Sequence, residues 1–247
     1  MEIGVIGGFG MIGSNIVEQY SNDNEISIIT RENILDFEHK IFDLIFCAAA
    51  DGRKYLANSE PYNDLINVMS LVQSVRLLKC QKFILVSTVD VYNSVGNVGD
   101  ESSRIEIERF SYGANRLCLE IALREVFGSK LAIIRLQGII ANNLKKNILF
   151  DIKNQKSFVQ LGKESMIQYY PLRMFRNHIE EVLSKGIVLC NLSCQPISYF
   201  ELQDIVEFQI PVSDTNVIYD VRSMFRPDGY WVKKNIVLEN IENYLGI

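Results

Sequence analysis

Short, almost uninterrupted apolar runs alternate along the first half of the chain with stretches whose apolar positions recur every three or four residues. The runs are "EIGVIG" (2–7), "EISIIT" (25–30), "DLIFCAAA" (43–50), "KFILVST" (82–88) and "KLAIIRLQG" (130–138). Between them, "MIGSNIVEQYS" places Ile12, Ile16 and Tyr20 on one helical stripe, and "PYNDLINVMSLVQSVRLL" (61–78) repeats that period. "ILDF" (34–37) reads as a short additional strand. Strands that are apolar on both faces and separated by helices predict a parallel sheet covered on both sides. Beyond Ile140 the alternation loosens. "QPISYFELQDIVEF" (195–208) carries Ser198 with Glu201 three places on, the signature of a capped helix start, and "YWVKKNIVLENIENYL" (230–245) reads as a closing amphipathic helix. The pattern predicts an α/β chain with a doubly wound parallel body over 1–140 and a small, partly interleaved C-terminal lobe over 141–247.

Composition narrows the function. The formal net charge is −5 over 247 residues and the basic residues are dispersed, so no nucleic-acid footprint is expected. Five cysteines without framework spacing read as thiols of a reduced compartment, and with only His39 and His178 beside them no metal site is expected. No apolar run has the length of a membrane span, and a strand starts at once, leaving no room for a signal peptide; the expectation is a cytoplasmic protein without membrane attachment.

The first strand runs into "GGFGMIG", where Gly7, Gly10 and Gly13 stand three apart between strand and helix. Such a turn brings backbone N–H groups against a pyrophosphate at a helix N-terminus, although a tight turn packed on its helix reads the same. After the second strand come Thr30 and Arg31 without a preceding carboxylate. A guanidinium there suits a 2′-phosphate and favours NADP(H) over NAD(H); a solvated surface arginine is the alternative. Ser87 and Thr88 end the "KFILVST" run, where ligands bind in open α/β sheets. In "FSYGANRLCLE" Tyr112 precedes Arg116 by one helical turn, so both share a face. A cation beside a phenol favours phenolate, which suits acid/base work with Thr88 bonding the same substrate oxygen.

Taken together, "GGFGMIG", "CAAA", "STVDVY", "SYGANR" and "RLQG", in this order, resemble the extended short-chain dehydrogenase/reductase superfamily, in its NAD(P)-dependent epimerase/dehydratase and nucleotide-sugar reductase branch. The resemblance implies a Rossmann-type sheet and a shortened substrate lobe. It implies cofactor contacts from Gly7, Phe9, Gly10, Met11, Ile12 and Gly13, from Asp36 and Phe37 at the adenine, from Ala48, Ala49 and Ala50, and from Leu136 to Gly138 at the nicotinamide. Thr88 and Tyr112 fall on the family's acid/base pair. Arg116 stands where the family has lysine; it keeps the charge and is expected to tune the phenol and to reach the nicotinamide ribose. Family dehydratases place an Asp-Glu pair after the Thr; here Val89 and Asp90 stand there, which disfavours dehydration and leaves Asp90 as a substrate contact. Asn142, Asn143 and Lys145, with Lys146, resemble the loop that holds the substrate's diphosphate, and Ile167 takes the place of a phosphate-binding arginine, with Arg173 and Arg176 nearby. The implied activity is 4-keto reduction of a nucleotide sugar by NADPH. Epimerisation and a catalytically silent dinucleotide-binding protein are the alternatives, and a homodimer through the tyrosine helix is the implied assembly.

Overall fold

The computed structural model describes the whole chain apart from residues 96, 108, 155–160 and 207–208, and apart from the side chains of 94 and 95. Its centre is a six-stranded parallel sheet: β1 (Glu2–Ile6), β2 (Glu25–Ile29), β3 (Ile41–Cys47), β4 (Lys79–Thr88), β5 (Leu131–Leu136) and β6 (Leu189–Asn191), in the spatial order β6-β5-β4-β3-β1-β2. Register is tight: Ile3 lies opposite both Ile26 and Leu44, and Thr88 opposite Leu136. All six residues of β5 are buried, Arg135 included, as a central strand covered on both faces requires.

Helices α1 (Met11–Tyr20) and α6 (Phe175–Ser184) cover one face, where Ile16, Tyr20, Phe175 and Ile179 pack on Ile3, Val5 and Phe46. Helices α3 (Pro61–Val75) and α4 (Tyr112–Phe127) cover the other, where Val68, Val72, Leu119 and Leu123 pack on Ile45, Phe83 and Ile133. The short helices α2 (Lys54–Ser59), α5 (Ile148–Lys153) and α7 (Tyr199–Ile205), with α8 (Lys234–Leu245), complete the chain, and α7 carries the expected capping box between Ser198 and Glu201. No helix among the described residues is long and apolar enough to cross a membrane.

One expectation changes. Residues Ile34–Phe37 form a 3₁₀ turn rather than a strand, because the Asn33 side chain accepts the Thr30 N–H and donates to the Ile28 carbonyl, folding the segment back at once. The segment after Ile140 packs on the same sheet. It supplies β6 and α6 to the main body, and Leu149, Ile167, Tyr199 and Ile241 join the same apolar cluster as Ile3 and Val5.

Strand order reverses at β1: the chain leaves β1 for β2 on one side and returns to β3 on the other. The carboxyl ends of β1 and β3 therefore flank a crevice, with the glycine loop on one and Ala48–Ala50 on the other, tied by Ala48 N–H to the Ile6 carbonyl at 2.9 Å.

Candidate active site

The glycine loop is built for close approach. An ideal Cβ on Gly13 would lie 2.1 Å from the Gly7 carbonyl oxygen, so any side chain there would push α1 off the end of β1. Gly10 caps α1 without a side chain and the first turn holds no acidic residue, leaving its N–H groups open to an anion in the crevice. A dinucleotide pyrophosphate fits this cradle in both space and charge. Met11 and Ile12 continue from the loop into the wall of a cavity of ≈ 480 Å³.

Thr88, Asp90, Tyr112, Leu136 and Gly138 also line that cavity, so side chains from the ends of β4 and β5 and from the start of α4 converge there. What seats α4 is Gly113, a residue without an evident role in the sequence. A Cβ on it would come within 1.9 Å of the Asp90 carbonyl oxygen, so the helix rests directly on the turn after Thr88. Its N-terminus is fixed twice: Ser111 Oγ accepts the Ala114 N–H at 3.3 Å, and Asn58 Oδ1 accepts the Tyr112 N–H at 2.9 Å.

Arg116 departs from expectation. It is 2% exposed and absent from the cavity wall. Its Nη1 and Nη2 each donate to one Asp64 oxygen at 3.0 Å, and Nη2 also donates to the Asp51 carbonyl at 2.5 Å. The guanidinium carbon lies 4.6 Å from the centre of the Tyr112 ring. Arg116 thus clamps α4 to α3 and to the loop after Ala50 through Nη1 and Nη2, and supports the phenol ring. The expected electrostatic balance is reversed as well. Burial raises the Tyr112 pKa more than Arg116 lowers it, with Asp90 adding to the rise and Lys54 opposing it. The net direction is upward from the ordinary tyrosine value.

A second cation, not singled out in the sequence, does line the cavity. Lys54 Nζ donates to Asp90 Oδ1 at 2.7 Å and to the Tyr219 hydroxyl at 3.0 Å, while Tyr219 itself donates to Asp90 Oδ1 at 2.7 Å. Asp90 Oδ2 faces Thr88 Oγ1 at 3.4 Å, and Thr88 Oγ1 accepts the Asp90 N–H at 3.1 Å. Burial works against the Lys54 charge, but Asp90 and Tyr219 more than offset it and keep its pKa above the usual lysine range. Burial, with Asp90 adding to it, pushes Tyr219 up to about 12. Lys54 and Tyr219 thus both bond Asp90 Oδ1, while Oδ2 keeps only the long contact to Thr88. Tyr219 lies 129 residues from Asp90 in the chain, a pairing that no local motif announces.

Other predicted contacts are dispersed. Asn143 bonds Asn15 and Ser14 and the Met11 carbonyl, latching its loop to α1 rather than facing the cavity. Asn142 and Lys145 are exposed outside the cavity; Lys146, Asn147 and Ile148 line it instead. Burial lowers the Lys146 pKa, and its ammonium donates to the Gly52 carbonyl across the cleft. Ile167 is in the wall, whereas Arg173 bonds Asn240 and Arg176 bonds Asp23 and Glu180 elsewhere. Phe9, Arg31 and Asp36 are exposed, Phe37 packs on Phe42 at 5.8 Å, and Ala48 to Ala50 are half-buried at the crevice. Among the described residues no cluster could hold a metal ion.

The model of the NAD dependent epimerase/dehydratase family matches residues 3–147. No curated protein sequence matches the chain. Solved structures share the fold across its whole length. A dTDP-4-dehydrorhamnose reductase from Yersinia enterocolitica superposes with a TM-score of 0.76 at 16% identity, covering 99% of this chain and 98% of that one. The dTDP-4-dehydrorhamnose reductase of Bacillus anthracis in complex with NADP gives 0.75 at 15%, covering 98% and 97%. The Thermus thermophilus UDP-glucose 4-epimerase in complex with NAD gives 0.73 at 15%, covering 100% and 98%.

Proposed function

The chain belongs to the NAD dependent epimerase/dehydratase family, and from that premise we propose that it is an NADPH-dependent reductase of a keto group on a nucleotide-activated sugar. The observation that carries this reading is the convergence of Tyr112 and Thr88 on one cavity at the carboxyl ends of the strands. When bound, a reduced nicotinamide supplies the hydride. Thr88 Oγ1 bonds the substrate carbonyl oxygen, and Tyr112 Oη gives that oxygen its proton as the carbon is reduced. Asp90, held by Lys54 and Tyr219, fixes the Thr88 hydroxyl. Arg116 positions the Tyr112 ring.

The glycine loop holds the pyrophosphate, and Arg31, exposed directly after β2 with no carboxylate before it, receives a 2′-phosphate. NADP and NAD each accompany a structural relative, so the preference rests on Arg31 alone. The solvent face of α3 and α4 exposes Tyr62, Ile66 and Ile121, which suits a homodimer through these helices.

The test is calorimetric titration with NADPH and NADH, followed by NADPH oxidation at 340 nm with dTDP-4-dehydrorhamnose. Tighter NADPH binding that Arg31→Ala removes, and turnover that Tyr112→Phe removes, are the expected results. Tight binding of NAD with no net oxidation of NADPH, and interconversion of a UDP-hexose, would replace this reading by epimerisation.

A further inference from the structure

Gln137 sits between β5 and the short strand Gly138–Ile140, 7% exposed, in the wall of the same cavity. Its Oε1 accepts the Cys194 N–H at 2.9 Å. Turning the amide over would set an NH₂ group against that N–H, so the orientation is fixed. Nε2 is then left buried with no hydrogen-bond partner among the described residues. Buried polar groups without a partner are rare, and each calls for an explanation, a bound molecule or ordered water among them.

The neighbouring wall glutamine makes the contrast. Gln168 Nε2 donates to the Cys194 and Val221 carbonyls at 2.6 and 3.0 Å, and its Oε1 accepts the Val221 N–H at 3.0 Å. It holds the wall and has nothing to offer a ligand, whereas Gln137 keeps its donor. Around Gln137 the wall is apolar, with Ile139, Ile148, Ile167 and Val217, and the nearby Asp90 carboxylate is already bonded to Lys54 and Tyr219. Among the described residues no acceptor bonds Gln137 Nε2. The anchor at Cys194 and the neighbours Ile167 and Gln168 belong to the segment after residue 140, which places Gln137 on the sugar side of the cavity rather than beside the glycine loop.

We propose that Gln137 is the specificity residue for the sugar: its Nε2 donates to a neutral oxygen of the sugar, an acyl carbonyl or a hydroxyl, seated against the isoleucine wall. This rests on the nucleotide-sugar reading above. A site that offers a buried donor discriminates against analogues that lack the matching acceptor, because the donor is then left unpaired.

The experiment is calorimetry on the NADP-saturated protein with UDP-glucose, UDP-N-acetylglucosamine and dTDP-glucose, and with UDP and dTDP as sugarless controls. Gln137→Glu retains the acceptor for the Cys194 N–H and removes the donor; Gln137→Met is the uncharged counterpart. Both are first matched to wild type by melting temperature and NADP affinity. The expected result is binding of at least one sugar nucleotide weakened roughly tenfold or more in both variants, with UDP and dTDP unchanged. Loss confined to UDP-N-acetylglucosamine assigns the acyl carbonyl; loss with the glucose forms assigns a hydroxyl. Equal affinity in wild type and variants, equal losses for UDP and its sugars, or a loss of NADP affinity instead, would overturn the assignment to the sugar and leave the reductase reading standing. Failure of wild type to bind any of these nucleotides would overturn the nucleotide-sugar reading and this inference with it.

Discussion

Arg116 and Asp64 meet in a two-pronged ion pair beneath the Tyr112 ring, each terminal guanidinium nitrogen 3.0 Å from its own carboxylate oxygen. The pair joins α4 to α3 across the back of the active site. It also explains the chemistry of the substitution: a lysine ammonium cannot present parallel donors to Asp64 while bonding the Asp51 carbonyl.

Removing Asp64 should therefore be costly. Asp64→Ala leaves a buried guanidinium without its counter-charge, and urea unfolding is expected to show a loss of about 3–5 kcal/mol. Asp64→Asn, which keeps one acceptor, should lose less. A difference below 1 kcal/mol between Asp64→Ala and wild type would mean that the pair carries little of the packing.

The Lys54–Asp90 pair predicts opposite shifts in the pH dependence of turnover. Tyr112 acts as an acid, so the rate falls as pH rises through its pKa. Lys54 favours the phenolate and Asp90 disfavours it. Lys54→Met should then move the alkaline limb to higher pH, and Asp90→Asn should move it to lower pH. A limb that moves the same way in both variants would exclude a direct electrostatic role.

Gly113 is a packing test of the site. Alanine favours a helix by about 1 kcal/mol over glycine, yet a Cβ here would stand 1.9 Å from the Asp90 carbonyl oxygen. Overpacking against backbone costs about 1–3 kcal/mol. Gly113→Ala should be less stable than wild type, and its kcat should fall with little change in NADPH affinity, because Tyr112 moves and the glycine loop does not.

His178 sets an acid limit to stability. It is buried, Tyr170 Oη lies 2.7 Å from its Nδ1, and Trp231 packs edge-on at 5.3 Å. Burial, with Arg226 assisting, lowers its pKa to about 4 from the usual 6.5. The unfolded chain takes up this proton first, so the contribution is complete above about pH 6.5 and is lost as pH falls towards 4, amounting to roughly 3 kcal/mol. Unfolding free energies measured from pH 7.5 to 4.5 should fall with a slope that His178→Gln reduces.

The sequence by itself determined the sheet, the glycine loop and the acid/base candidates, because these are short-range signals. Continuous apolar runs bounded by turn signals read as strands covered on both faces. Three spaced glycines between strand and helix allow backbone to approach closely, whether to a ligand or to the helix. A four-residue spacing fixes a shared helical face. The tertiary structure decided everything that depends on pairs distant in the chain. Arg116 carries no sign of its partner, because Asp64 lies 52 positions away and reads as an ordinary polar residue near a helix start. The same holds for Tyr219 on Asp90, for Cys194 on Gln137, and for Asn143, whose amide turns to α1. It holds for the sign of the Tyr112 shift too: a neighbouring cation is visible in sequence, but the burial that outweighs it exists only once the elements have packed. Position along the chain sets which groups a fold can present; desolvation and the choice of partner, both products of packing, set what those groups do.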